Sequence, residues 1–286
     1  MKGRAKIAVL GLVGRSMFFN VPRFHSGGET VHATDFHEEW GGKGFNQAVA
    51  AARQGAHVAF LGKVGSEADS RAVREFCDKE GIVPSIYHAE QSVEPTACAA
   101  ILTDATGETR VTVARGAELH ETDVDRGFAD EIANADILLL NNEVPEAVNV
   151  RASEIAEAHG VRIMMNPAPA RPIPDELKRR VFLWTPNEFE EAALGDVAGE
   201  VVTTLGARGC RIRSTGLIVP AANCGKAVDT TGAGDVFTAT LCLRLAEGEA
   251  IEDACRAANI AAAISVTKRY VMPSIPSRGE VEERIR

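Results

Sequence analysis

Short apolar runs alternate with segments of helical period along most of the chain. AKIAVLGL (5–12) is aliphatic and β-branched and predicts a buried strand; GFNQAVAAARQG (44–55) predicts a helix with Gly55 as its stop. HVAFLGKVG (57–65) predicts a strand, and SEADSRAVREFCDKEG (66–81) a helix opened by a capping box from Ser66 to Asp69. DILLLNNEV (136–144) is apolar without alternation, the mark of a strand covered on both faces. A helix through VNVRASEIAEAHG and the strand VRIMMN (161–166) follow, and VFLWTPN (181–187) and VVTTLG (201–206) repeat the strand-then-loop theme. The chain closes on two helices, roughly 233–247 and 250–268, the first read as amphipathic. This alternation predicts an α/β fold, a mostly parallel sheet covered by helices.

Two stretches break the rhythm. GGETVHATDFHEEW (27–40) and TACAAILTDATGETRVTVARG (96–116) alternate in the manner of β-hairpins, the second with turn signals at Thr103–Gly107. They predict a small second sheet, built from about 13–40 and 96–116, acting as a lid on one domain that spans 1–286.

Bulk properties narrow the class. With 286 residues, 45% hydrophobic and 25% charged, the chain can bury a large single core. A net charge of −9 excludes a basic footprint for nucleic acid, so an anionic ligand would have to be met by local positive potential. The six cysteines are scattered with no C-x-x-C pair, which argues against a disulfide framework or a zinc site and for reduced thiols in the cytoplasm. MKGRAKIAVLGLVG superficially resembles a signal peptide, but its apolar run is short and Arg15 interrupts it. No stretch is long enough to suggest a membrane span.

Chemistry concentrates in a few segments. DTTGAGD (229–235) precedes FTATLCLRLAEG, which places Gly232, Ala233 and Gly234 at a helix N-terminus, where unpaired backbone N–H groups and the helix dipole favour an anion. Asp235 falls in the first turn, placed to take a proton from an attacking hydroxyl; plain N-capping is the competing explanation. In WGGKGFNQ, Gly41 and Gly42 let a ligand approach the backbone, and Lys43 and Asn46 are expected to face outward, Asn46 offering a donor and an acceptor to sugar hydroxyls. Glu143 and the NPAPAR run (166–171) follow strands, where ligands of parallel sheets collect. Asn187 and Glu190 of TPNEFEEAALG share a helical face and could orient a hydrated Mg²⁺, although an acidic helix start is often only dipole chemistry. TTLGARG (203–209) adds a glycine loop at another strand end, and no G-x-x-x-x-G-K-[ST] occurs.

Taken in order, GGET, GGKGFNQAVAA, NPAPAR, TPNE, TLGARG, VDTTGAGD and ISVTKRYVMPSIP resemble the ribokinase-like (PfkB) carbohydrate kinase family, and its ribokinase branch most. The resemblance implies a three-layer α/β/α sandwich with a mostly parallel central sheet and a β-sheet lid, often paired into homodimers through the lid. It implies ATP and Mg²⁺, Asp235 as base and Gly232, Ala233 and Gly234 as anion hole. Gly42, Lys43, Asn46 and Glu143 match positions that hold the sugar, as do Gly14 and Ser16 by place. Asn187 and Glu190 match the Mg²⁺/phosphate motif; Thr204, Gly206, Gly209 and Asn259 fall where the nucleotide is held. Asp229, Thr231, Val266, Arg269 and Ser274 match a loop pair that binds K⁺.

Three departures stand out. Gly14-Arg15-Ser16 replaces the family's Asn-x-Asp, removing a carboxylate contact to sugar of about 1.5–3 kcal/mol, while Arg15 could recruit an anionic substrate. The stretch between Leu194 and Val201 is short, and Tyr270 stands at a usual glycine. The expected activity is γ-phosphoryl transfer to a sugar hydroxymethyl group. A nucleoside or sugar phosphate as acceptor is an alternative, and a catalytically silent sugar sensor is another.

Overall fold

The structure, a computed structural model, describes residues 3–89 and 94–285. Its strands are β1 (Lys6–Leu10), β2 (Gly14–Asn20), β3 (Asp35–Gly41), β4 (His57–Val64), β5 (Ile82–His88), β6 (Ala97–Thr103), β7 (Thr109–Ala114), β8 (Ile137–Asn141), β9 (Arg162–Asn166), β10 (Val181–Trp184), β11 (Glu200–Thr204), β12 (Cys210–Ile212) and β13 (Ile218–Val219). The helices are α1 (Lys43–Arg53), α2 (Glu67–Glu80), α3 (Glu121–Gly127), α4 (Ala129–Ala133), α5 (Glu146–Ala158), α6 (Asp175–Arg180), α7 (Glu188–Leu194), α8 (Ala233–Glu247), α9 (Ile251–Ser265) and α10 (Arg278–Ile285).

Nine strands make one sheet in the order β13-β12-β11-β10-β9-β8-β1-β4-β5. Pairing is parallel from β11 through β5, and β12 and β13 run antiparallel at one edge. Side chains of β1 split between the two faces. Ile7 and Val9 join a core with α1, α8 and α9, whereas Ala8 and Leu10 join a second core with α3, α4 and α5. Both faces are therefore covered, which makes the three-layer sandwich and explains why β8 reads as an unbroken apolar run. Ser66 Oγ accepts the Asp69 amide at 3.1 Å and opens α2 as the sequence predicts.

Four strands form a second sheet, ordered β3-β2-β6-β7. Its first hairpin differs from the expected one: 27–40 does not fold on itself, and instead β2 pairs antiparallel with β3 across the 21–34 connection. GRSMFFN lies inside the 13–40 bounds expected for the lid, but its polar and apolar residues do not alternate strictly, so it does not stand out as a strand of its own. The 96–116 hairpin is where its pattern put it, with β6 and β7 joined at 104–108.

One further expectation changes. Helix α8 is not amphipathic: Asp235 through Arg244 are all buried, between α1 and α9. Its threonines look like a polar face in sequence, but Thr240 Oγ1 donates to Val236 O at 2.7 Å and Thr238 Oγ1 to Thr185 Oγ1 at 3.2 Å, so neither needs water. Residues 195–199 join α7 directly to β11 without an intervening helix.

Candidate active site

Parallel strands β8, β9, β10 and β11 end on one side of the sheet, and α8 begins there. An open cleft of about 230 Å³ lies over these ends. Lys43, Asn187, Glu190, Thr204, Gly232, Gly234 and Asp235 are among the residues that line it. Segments more than 180 residues apart in sequence thus meet because each strand delivers its following loop to the same edge.

Asp235 lies buried at the floor, in the first turn of α8. Asn46 Nδ2 donates to its Oδ2 at 2.8 Å and Gln47 Nε2 to its Oδ1 at 3.2 Å. Burial raises its pKa, while Lys43 and the two amide donors pull it down. Beside it Gly232 caps α8 at φ 77°, with no side chain closing the helix end. The turn needs that left-handed conformation; its Ala233 amide donates to Thr230 O at 3.3 Å, and Gly232 and Gly234 line the cleft at the positive end of the dipole.

Lys43 opens α1 behind Gly42, whose φ of 114° suits glycine and whose added Cβ would stand 2.2 Å from Leu12 O. The ammonium's pKa is raised by Asp235 and then Glu143 and Glu190, so it remains cationic among three carboxylates. Glu143 accepts the Lys43 amide at 2.6 Å, and burial pushes its pKa up to about 7. Asn46 does not face outward as the sequence suggested, whereas Lys43 lines the open cleft. Asn46 is buried, since α1 turns its first face onto α8 rather than to water. Its Oδ1 is buried without a partner.

Gly14 and Ser16 part company. A Cβ on Gly14 would lie 2.3 Å from Ala97 O, so the position serves the close approach of β2 and β6 and has no side chain to offer a ligand. Ser16 Oγ sits against Gly41, on the side of Asn46. Arg15 points to the other face, paired with Glu38 and, at 2.6 Å, with Asp69, and lies 4.9 Å over Trp40. Its charge is already answered, which removes it as a recruiter of anionic substrates.

Asn187 and Glu190 form a capping box: Asn187 Oδ1 accepts the Glu190 amide at 2.8 Å and Glu190 Oε2 the Asn187 amide at 2.9 Å. Capping uses one atom of each side chain and leaves both residues on the cleft wall. Thr204 lies at the end of β11, and Gly206 and Gly209 bracket the tight turn after it. Asn259 stands away from the cleft lining. Its Nδ2 donates to Val219 O at 3.0 Å and Pro220 O at 3.1 Å, bracing the strand edge. The two loops expected to hold a cation do meet: Val228 and Asp229 amides donate to Val266 O at 2.7 and 3.2 Å, Asp229 Oδ1 accepts the Thr231 amide, and Ser274 Oγ donates to Val271 O. Arg269 reaches instead toward Asp35, at 3.8 Å.

Gln47 is the residue sequence reasoning did not single out. It is fully buried and donates to both Asp235 Oδ1 and Asn166 Oδ1, each at 3.2 Å, while Asn166 Nδ2 donates to Thr185 O at 2.7 Å. This chain of amides beneath the cleft has no local sequence signature beyond Gln47 lying next to Asn46.

Compared with known protein families, residues 4–278 match the pfkB family carbohydrate kinase. The chain belongs to that family. A ribokinase of Haemophilus influenzae is 36% identical over 98% of this chain and 98% of its own length, and one of Bacillus subtilis is 33% identical over 97% and 98%. Among solved structures, a ribokinase from Thermotoga maritima superposes with a TM-score of 0.85 at 30% identity, covering 98% of this chain and 99% of the other. An Arabidopsis thaliana ribokinase, complexed with ribose and ATP, gives 0.86 at 24% identity, with 99% of each covered, and shares the fold. This pfkB protein is accordingly a sugar kinase of the ribokinase type, a phosphotransferase with an alcohol group as acceptor.

Proposed function

We propose that this chain transfers the γ-phosphoryl group of ATP to the hydroxymethyl group of a free sugar, with Asp235 as the base. The observation that carries the reading is a buried carboxylate at the mouth of an uncapped helix, with Lys43 beside it. The sugar hydroxyl attacks phosphorus in line; its proton passes to Asp235, the new O–P bond forms and the bond to ADP breaks. The amides of Gly232 and Gly234, with that of Ala233 exchanging Thr230 O for phosphate, take the charge that develops on the phosphoryl oxygens, and Lys43 adds a fixed cation. Asn46 supports the sugar side: its unpartnered Oδ1 lacks a donor such as a sugar hydroxyl would supply, and its Nδ2 is fixed by Asp235. Glu143, Gly42 and Ser16 border the same side.

Thr204, Gly206 and Gly209 border the nucleotide, with Asn259 holding the edge behind them. Glu190 and Asn187 suit Mg²⁺, which prefers one or two carboxylates together with phosphates and retained water. Bound with ATP, the ion would neutralise phosphate charge, held by those two residues. Asp229, Thr231, Val266, Arg269 and Ser274 would hold K⁺. The second sheet acts as the lid of a single domain and, through its exposed strand β7, as the surface on which two copies pair. No helix among the described residues is long and apolar enough to cross a membrane, and we place the enzyme in the cytoplasm.

A panel of free sugars, nucleosides and sugar phosphates, assayed for ADP release with and without K⁺, tests this. Turnover is expected on a free sugar; ADP release on none of them, or only on phosphorylated acceptors, would refute the reading. The pairing of Arg15 favours a neutral acceptor.

A further inference from the structure

Asp35, His37 and Glu39 alternate along β3, share one face of the second sheet, and all end on the loop that follows α9. Tyr270 Oη donates to Asp35 Oδ2 at 2.6 Å, and its ring stacks on His37 with centroids 4.0 Å apart and 19° between the planes. Glu39 Oε1 accepts the amides of Val271 at 2.9 Å and Met272 at 3.2 Å, and its Oε2 lies 3.0 Å from His37 Nε2. Only 7% of the Glu39 side chain is exposed. Tyr270 has φ 66°, the one non-glycine residue at positive φ among the described residues. A bulky side chain persists in that region only where its surroundings over-determine it. Here they do, because the Tyr270 amide also donates to Asp229 Oδ2 at 3.0 Å.

The same loop supports the phosphate-facing turn. A Cβ on Gly232 would stand 2.7 Å from Val271 Cγ1, so Val271 is the wall behind that turn. At its other end β3 runs through Gly41 and Gly42 into α1, which carries Asn46 to Asp235. Strand β3 therefore reaches the reacting centre from two directions, along the chain on the sugar side and through Tyr270 and Val271 on the phosphate side.

We propose that Glu39, His37 and Tyr270 form a latch that positions the Gly232–Asp235 turn against the second sheet, so that a sugar ordering β3 also orders the seat of the transferring phosphoryl group. These are positioning residues, since none lines the cleft. The inference rests on the sugar-kinase reading for its functional consequence. Two ligands sharing such an element bind with reciprocal positive coupling.

Amide hydrogen exchange in Glu39→Ala and Tyr270→Gly reads the latch without any substrate. Tyr270→Gly relieves the positive φ and so separates loss of the latch from loss of the fold, and Glu39→Gln keeps an acceptor. In both disrupting variants exchange across 229–236 is expected to quicken about tenfold, equivalent to about 1.4 kcal/mol. Strands β1 and β8 should stay protected, and Glu39→Gln should approach wild type. Unchanged exchange at 229–236 in both variants would overturn the latch. In an active wild type, sugar should tighten binding of a non-hydrolysable ATP analogue, and Tyr270→Gly should bring that coupling factor close to one with each single-ligand affinity kept. Coupling that survives intact would also overturn it. A wild type that phosphorylates no sugar would sink the kinase reading instead, and the exchange result would still decide the latch.

Discussion

Replacing Gln47 with Met tests whether the amides under Asp235 set its basicity. The substitution keeps the length of the side chain and removes one N–H donor from the carboxylate. A hydrogen bond to a charged group contributes about 1.5–3 kcal/mol, and 3.2 Å lies at the long end of the N–H···O range, so about 1.5 kcal/mol is the working figure. That converts to a rise of about one pKa unit for Asp235. The sign follows from the ionised form being the one stabilised: without Gln47 the carboxylate keeps its proton to higher pH, adding to the rise that burial already causes. A pH profile of kcat/KM reports free-enzyme groups, and this is the state described by the structure. Its acidic limb should move up by about one unit in Gln47→Met, while the plateau at high pH stays near wild type. An unmoved limb under a lowered plateau would show that Gln47 acts on packing and that Asp235 does not carry the limb.

Glu143→Gln should stabilise the ligand-free protein at alkaline pH. Glu143 has a pKa of about 7 in the fold against an ordinary 4.5, so its favourable contribution is complete below 4.5 and is lost as pH rises through 7. The variant should gain up to about 3 kcal/mol at pH 8 and nothing at pH 4, read as a difference in denaturation midpoints. Equal shifts at both pH values would refute the cause. Gly14→Ala should cost about 1–3 kcal/mol of stability, because its Cβ would meet the Ala97 carbonyl. A denaturation midpoint matching wild type would show that the approach of β2 and β6 does not require glycine there.

Much of the candidate site's geometry was legible because its residues are consecutive: DTTGAGD alone specifies a turn, a helix start without a side-chain cap and a carboxylate. The central sheet was legible for a similar reason, since β1, β4 and β8 carry apolar runs that only two-sided burial explains. What failed to show was set by partners distant in sequence. Arg15 looks like a free cation until Asp69, 54 residues on, supplies its carboxylate. Asn46 looks solvent-facing until α8 arrives against α1, and α8 itself looks amphipathic because hydroxyls satisfied inside a helix still count as polar. Tyr270 looked like a mere loss of glycine; its φ shows that the backbone shape was kept and that the ring found partners on β3.

The central claim is that Asp235 takes the proton of the attacking hydroxyl, and Asp235→Asn tests it most directly. Asparagine keeps the shape and, through its one carbonyl oxygen, the hydrogen bond from either Asn46 or Gln47, but it cannot accept the proton. Sugar-dependent ADP release should fall by about 10²–10⁴-fold, while affinity for a non-hydrolysable ATP analogue stays within about twofold of wild type. Turnover that persists near the wild-type rate would place the base elsewhere and contradict the account.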